Sequence, residues 1–307
     1  MTLKVPGRRV VAAAVCAVAL LGGVRCAIAA DDRLFSVSVS GPPAVRSIIF
    51  IPGLMCSGDV WAAAAARYRG AYRVHVLTLS GFAGRPPLDG KTFLSRVRDD
   101  LIGYIREERL DRPIIVGHSL GGFIAFWAAA TAPDLVGPIV AVDGVPFMPA
   151  LVNPAATSDT MKAQGDLMRT MFASMTSEQM LAQSRMSLQT MISDPTNIER
   201  AAQWAAASHG GTVGIAMAEL FATDLRDEVA RIQSPILLIG AAKDAADAQS
   251  LSRLTRAYEA QVAKTPRALV VMARHARHFV MMDDPEFLFA AMDAFLAGKP
   301  ISSAQGL

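Results

Sequence analysis

Ser119 stands in the run Gly117-His118-Ser119-Leu120-Gly121, with Ile114-Ile115-Val116 before it and an Ala-rich stretch over 123–132 after it. A short β-branched run reads as a buried strand and the Ala-rich stretch as a helix, so Ser119 falls on the sharp turn between them. Glycines two residues to either side leave room for a strained backbone that a side chain would block. Such a turn lifts the hydroxyl above a sheet. It also sets backbone N–H groups beside it at a helix start, where a developing oxyanion would be stabilised. The expected chemistry is nucleophilic attack by Ser119. The bland alternative is a tight turn with a capping serine. A serine hydroxyl is a poor nucleophile until a base takes its proton, and the base needs an acid to fix its tautomer.

The turn resembles the nucleophile elbow of the α/β-hydrolase superfamily, and the resemblance runs from about Ser47 to Leu296. It implies an α/β fold: an eight-stranded, mostly parallel sheet with flanking helices and a helical cap, and a triad in the chain order Ser, acid, His. It places the base after the last strand, which leaves His275 and His278. In the superfamily an apolar residue follows this His, and a Pro seven positions on opens the last helix. His278, Phe279 and Pro285 meet that spacing and His275 does not. His75 alternates within a strand, His118 faces the other side of the strand from Ser119, and His209 reads as a surface residue.

The same resemblance places the acid after the strand that follows the cap, here Ile236 to Ile239, usually three residues beyond a Gly. Asp244 lies four beyond Gly240 and is the expected acid. Asp247 is one alternative; Asp143 is another, because some relatives carry the acid after an earlier strand. For the oxyanion hole the resemblance implies the backbone N–H of Leu120 and that of Leu54, with Met55 as an alternative. Leu54 follows Pro52-Gly53, where relatives usually have His-Gly, and Trp61 closes the pattern. Gly53 is otherwise an ordinary turn glycine.

The elements that must hold these groups can be read in order. Residues 35–39 alternate like an edge strand, 47–51 and 73–79 read as strands, and 61–68 as a helix. Over 92–110 apolar residues recur at 93, 94, 97, 101, 102 and 105, a helical spacing with one face turned inward. The helix after the elbow stops at Pro133, and a strand ends at Asp143. The strand–helix rhythm then breaks from Val145 to about Ile232. This insertion lies where the superfamily carries its cap, and nine of the fifteen methionines fall in it. Unbranched thioether side chains adapt to varied ligands, although they also make plain helix-packing core. Gly210, Gly211 and Gly214 suggest a flexible joint. The chain then returns to strand at Ile236, helix at 250–263, strand at 267–272 and a closing helix at 286–296. The expected organisation is a core over 30–144 and 233–307 interrupted by a cap over 145–232.

The first 29 residues read as an export signal. Lys4, Arg8 and Arg9 form a basic start, 10–24 is almost wholly apolar, and Ala27-Ile28-Ala29 offers a cleavage site. An uncleaved anchor is the competing reading. The Arg8-Arg9 pair fits twin-arginine export poorly, and Arg25 is wrong for a lipobox at Cys26. Removing the four basic residues of this segment leaves 26 basic against 27 acidic residues, so formal charge moves from +3 to −1. The basic balance therefore belongs to the signal, and no nucleic-acid footprint remains. Cys16 and Cys26 leave with it, which isolates Cys56 as a small buried hydrophobe. No stable membrane insertion of the mature chain is expected, and the mechanism needs no metal or organic cofactor.

The expected activity is hydrolysis of a small to medium apolar carboxylic ester through an acyl-serine, in the periplasm or secreted. The same framework also serves lactone, amide or carbon–carbon bond hydrolysis and cofactor-free perhydrolysis. A non-catalytic ligand-binding protein is the reading from a different class. Epoxide and haloalkane hydrolysis are disfavoured, because those relatives have Asp where this chain has Ser119.

Overall fold

The computed structural model describes residues 33–87, 90–265 and 267–301. Seven strands make one sheet: β1 Phe35–Ser40, β2 Ser47–Ile51, β3 Arg73–Leu79, β4 Ile114–His118, β5 Ile139–Val142, β6 Ile236–Ala241 and β7 Ala268–Ala273. Their order is β1-β3-β2-β4-β5-β6-β7; β1 runs antiparallel to β3 and every other pair is parallel. β2, β4 and β5 are buried along their whole length, as β-branched runs in a sheet covered on both faces should be. The sheet has seven strands among the described residues, not the eight that the resemblance implies.

The period of two in the strands sorts the helices onto two faces. Ile48 and Phe50 share a core with α1 (Ala62–Tyr68) and α11 (Pro285–Leu296). Ile49 and Ile51 face α2 (Leu94–Glu107), α3 (Leu120–Thr131) and α9 (Ala248–Gln261). α3 is buried almost all round, because Gly and Ala let it lie close against the sheet.

Between β5 and β6 stand α4 (Pro149–Val152), α5 (Ser158–Ser174), α6 (Ser177–Leu188), α7 (Pro195–Ala206) and α8 (Gly210–Ala222). α5 packs on α8, and α6 on α7. The insertion enters and leaves at one place, where Leu225 N–H donates to the carbonyl of Pro146 at 3.2 Å. Glu219 of α8 ties it to the core by accepting the N–H groups of Phe93 and Leu94 at 2.9 and 2.5 Å, two of the unpaired donors at the start of α2. The glycines at 210 and 214 make no joint. A Cβ on Gly210 would lie 2.3 Å from the carbonyl oxygen of Phe172, and one on Gly214 2.5 Å from that of Arg169. They are small so that α8 can lie against α5, and both sit inside a regular helix.

The short helix α10 (Val280–Asp283) leads from the His278 loop into α11. No helix among the described residues is long and apolar enough to cross a membrane. The expected signal segment, residues 1–29, lies outside the described residues.

Candidate active site

Ser119 sits between β4 and α3 with φ +53° and ψ −118°. A non-glycine residue held there costs about 1–3 kcal/mol and persists only where its surroundings over-determine it. Here they do. The Ser119 N–H donates to the carbonyl of Val142 at 2.9 Å, and its carbonyl accepts from Phe123 N–H at 3.1 Å. A Cβ on Gly117 would come within 2.2 Å of the Gly121 oxygen, and one on Gly121 within 2.3 Å of the Ile51 oxygen. Any other residue at either position would push strand, turn and helix apart.

The end of β2 delivers the next group. Trp61 Nε1–H donates to the Ile51 carbonyl at 3.1 Å and fixes where that strand stops. The chain then passes beside the elbow: a Cβ on Gly53 would lie 3.3 Å from the Cβ of Ser119 and 2.8 Å from Nδ1 of His118. Leu54 and Met55 follow, with Met55 at φ +59°. Leu120 is the first residue of α3. Cys56 is buried, and its thiol donates to the Leu54 carbonyl at 3.3 Å. Burial pushes that thiol up to about 12, against a smaller downward effect of the Gly53 backbone, so it stays protonated and inert.

His278 follows β7 on the loop before α10. Its Nδ1 lies 2.6 Å from Oδ2 of Asp143. Asp143 is one residue past β5, and the register pairs His118 with Val142, so Asp143 stands level with Ser119 on the adjacent strand. Its backbone is also left-handed, at φ +49°. Its other oxygen, Oδ1, accepts from Ala241 N–H at 2.8 Å and from the hydroxyl of Tyr258. Burial alone would push the Asp143 carboxyl up. The hydrogen bond and charge of His278, with the Tyr258 and Ala241 donors, outweigh burial and hold it below the usual carboxylate range.

This corrects the expected acid. Asp244 lies on an exposed turn after β6, its side chain is 66% exposed, and its partner is Arg277 Nε at 3.4 Å. It makes no hydrogen bond to His278. β6 runs one residue past the level of Asp143, so the chain offers the Ala241 N–H there and carries Asp244 beyond reach. Asp247 is the N-cap of α9, accepting from Ser250 N–H at 2.7 Å.

The other histidines sort by contact. His118 is fully buried, and its Nε2–H donates to the carbonyl of His278 at 3.1 Å. Its ring packs 4.7 Å from that of His278 and 4.6 Å from that of Phe279. Burial first, and the neighbouring His278 second, push His118 well below the ordinary histidine range, so it packs here as a neutral ring. His75 is buried against the Tyr104 hydroxyl at 2.6 Å, His275 is exposed, and His209 caps α8. The helical insertion borders this loop directly. Phe279 N–H donates to the Met191 carbonyl at 3.2 Å, and Arg277 Nη1 to that of Gln189 at 2.9 Å. Two residues of the site carried no signal in the sequence. Tyr258 reads as one more apolar residue on the inner face of its helix, and His118 as part of the turn.

Comparison with known proteins agrees with this fold. A curated pimeloyl-[acyl-carrier protein] methyl ester esterase of Aliivibrio salmonicida is 24% identical over 189 residues, covering 62% of this chain and 70% of that protein. Among solved structures, a hydrolase from Pseudomonas aeruginosa superposes with a TM-score of 0.69 at 19% identity, over 85% of this chain and 94% of that one. A thermophilic esterase from Thermogutta terrifontis also gives 0.69, at 17% identity over 86% and 93% of the two chains. At these identities the superpositions speak for the fold alone. The sequence pattern of the alpha/beta hydrolase family matches residues 48–291, a span that takes in Gly53, the elbow, Asp143 and His278. With that match across most of its length and a serine at its elbow, the chain belongs to the alpha/beta hydrolase family.

Proposed function

We propose that this serine hydrolase cleaves small to medium apolar carboxylic esters through an acyl intermediate on Ser119, outside the cytoplasm. The observation that carries the reading is the 2.6 Å bond from His278 to the Asp143 carboxylate, one strand from the strained Ser119. In the proposed sequence, Nε2 of His278 takes the Ser119 proton as Oγ attacks the ester carbonyl carbon. The N–H groups of Leu54 and Leu120 receive the oxyanion, and Asp143 stabilises the imidazolium. Collapse breaks the bond to the alcohol, which leaves with the proton from His278. A water then gives its proton to His278 and attacks the acyl carbon. The acid leaves and Ser119 regains its proton. Ester and water go in, and acid and alcohol come out.

The ester class has independent support. The curated relative cleaves a methyl ester by its name, and the insertion beside the His278 loop is rich in methionine. In this reading residues 145–232 form the cap and line the acyl pocket. A panel of p-nitrophenyl esters of graded chain length, with lactones and an aminoacyl amide alongside, tests it. Esters should turn over well above the lactones and the amide, and replacing residues 150–225 by a relative's cap should move the chain-length preference. Pocket contacts set such preference at about 1–3 kcal/mol per methylene. A folded chimaera with the original profile would remove the cap from the account of specificity.

Export is the second part of the proposal, and it rests on the basic, apolar and small-residue succession of residues 1–29. N-terminal sequencing from a host that exports such proteins should begin near Ala30 or Asp31. Recovery from the cytosol with Met1 in place would contradict it.

A further inference from the structure

We propose that Tyr258 is a positioning residue for this reaction, its phenol holding Oδ1 of Asp143 so that Oδ2 stays on Nδ1 of His278. The inference rests on the Ser119–His278–Asp143 reading above. Asp143 hangs from a strand end, and its carboxylate is held from two sides. The Tyr258 hydroxyl and Ala241 N–H share Oδ1, and His278 takes Oδ2. Both donors to Oδ1 stand on rigid elements, β6 and α9. One turn beyond Tyr258, the buried Gln261 accepts from Phe147 N–H at 2.9 Å and donates to the Phe147 carbonyl at 3.0 Å. That exchange pins α9 to the segment just after Asp143. Tyr258 itself is 4% exposed. Burial first, and the Asp143 charge second, push its phenol well above the ordinary tyrosine range, so it donates as a neutral hydroxyl.

The bond does more than fill space. A donor on a carboxylate draws off charge and makes it a weaker base. Asp143 can then hold the imidazolium without competing for its proton. Without the phenol, Oδ1 keeps one donor, the carboxylate is freer to turn, and it binds the imidazolium more tightly. The acid limb of the pH–rate profile then moves to higher pH. The charged and titratable groups around His278 are His118 against its ring, Lys243, Asp244 and Arg277 along the cavity beside it, and Asp283, whose carboxylate takes the Arg277 N–H. All of them remain when only the Tyr258 oxygen is removed, so the shift reads the phenol alone.

The test is Tyr258→Phe in the full chain, with kcat/KM for p-nitrophenyl butyrate measured against pH. We expect kcat to fall about tenfold with KM nearly unchanged, as for loss of a bond to a charged group. The acid limb should move up by about half a pH unit, and the downfield proton resonance of the His278–Asp143 bond should move with it. A core aromatic with an incidental hydroxyl would lower the melting temperature and leave that limb in place, and an unmoved limb with unchanged kcat overturns the proposal. If Tyr258→Phe does not fold, 3-fluorotyrosine at 258 supplies a more acidic donor. The limb should then move down, and a limb that stays or rises overturns the proposal. Ser119→Ala measured in parallel separates the two claims: hydrolysis surviving there sinks the triad reading itself, whatever Tyr258 does.

Discussion

Asp143→Asn is expected to lose about 10⁴ in turnover, while Asp244→Asn stays within about fivefold of wild type. The first figure follows from the hydrogen bonds. In Asp143→Asn the amide oxygen would keep the Ala241 and Tyr258 donors, which leaves the NH₂ facing His278. Nδ1 must then accept, so the ring proton sits on Nε2, the atom that has to take the Ser119 proton. A loss of 10⁴ corresponds to about 5.4 kcal/mol of transition-state stabilisation. The Asp244–Arg277 pair is exposed, and such pairs contribute about 0–1 kcal/mol. Arg277 also keeps its bonds to the carbonyls of Gln189 and Ile192, so the loop that carries His278 stays anchored without Asp244. Steady-state kinetics of the two purified variants decides between the acids. The reverse ranking would mean that the acid comes from the later strand.

Ser119→Ala is expected to reduce ester hydrolysis by about 10³-fold or more and to leave the fold intact. Alanine keeps the Cβ and loses only Oγ. The backbone strain at φ +53° is imposed by the Val142 and Phe123 bonds and by the glycines around it, and none of these changes. Thermal melting should therefore match wild type while turnover collapses. Activity within tenfold of wild type in a folded variant would show that another group does the chemistry.

The elbow was legible because its demands are local: a β-branched strand, two glycines with no room for a Cβ, and a small-residue helix. His278 was singled out by its spacing to Phe279 and Pro285, and the structure brings that histidine to Asp143. The acid was misjudged because its position depends on strand register, which sequence spacing does not carry. Asp244 follows the strand after the insertion, but β6 lies two strands from β4, whereas Asp143 ends the adjacent strand. A signal was present in Gly144, where a Cβ would lie 2.3 Å from the Ser119 oxygen. An Asp-Gly closing a buried strand marks chain forced against the elbow. Tyr258 was not legible, since its helical position suits a core aromatic equally well. The glycines of α8 read as a joint because glycine permits both freedom and contact, and only the α5 backbone beside them shows which applies.

In the proposed mechanism Ser119 is the nucleophile, activated by His278 and Asp143. Reaction with a fluorophosphonate, followed by peptide mass mapping, tests it most directly, because the reagent bonds to an activated serine without any assumption about the natural ester. One adduct is expected, on Ser119, absent in Ser119→Ala and formed far more slowly in Asp143→Asn. An adduct at another residue, or labelling that persists in Ser119→Ala, would contradict it.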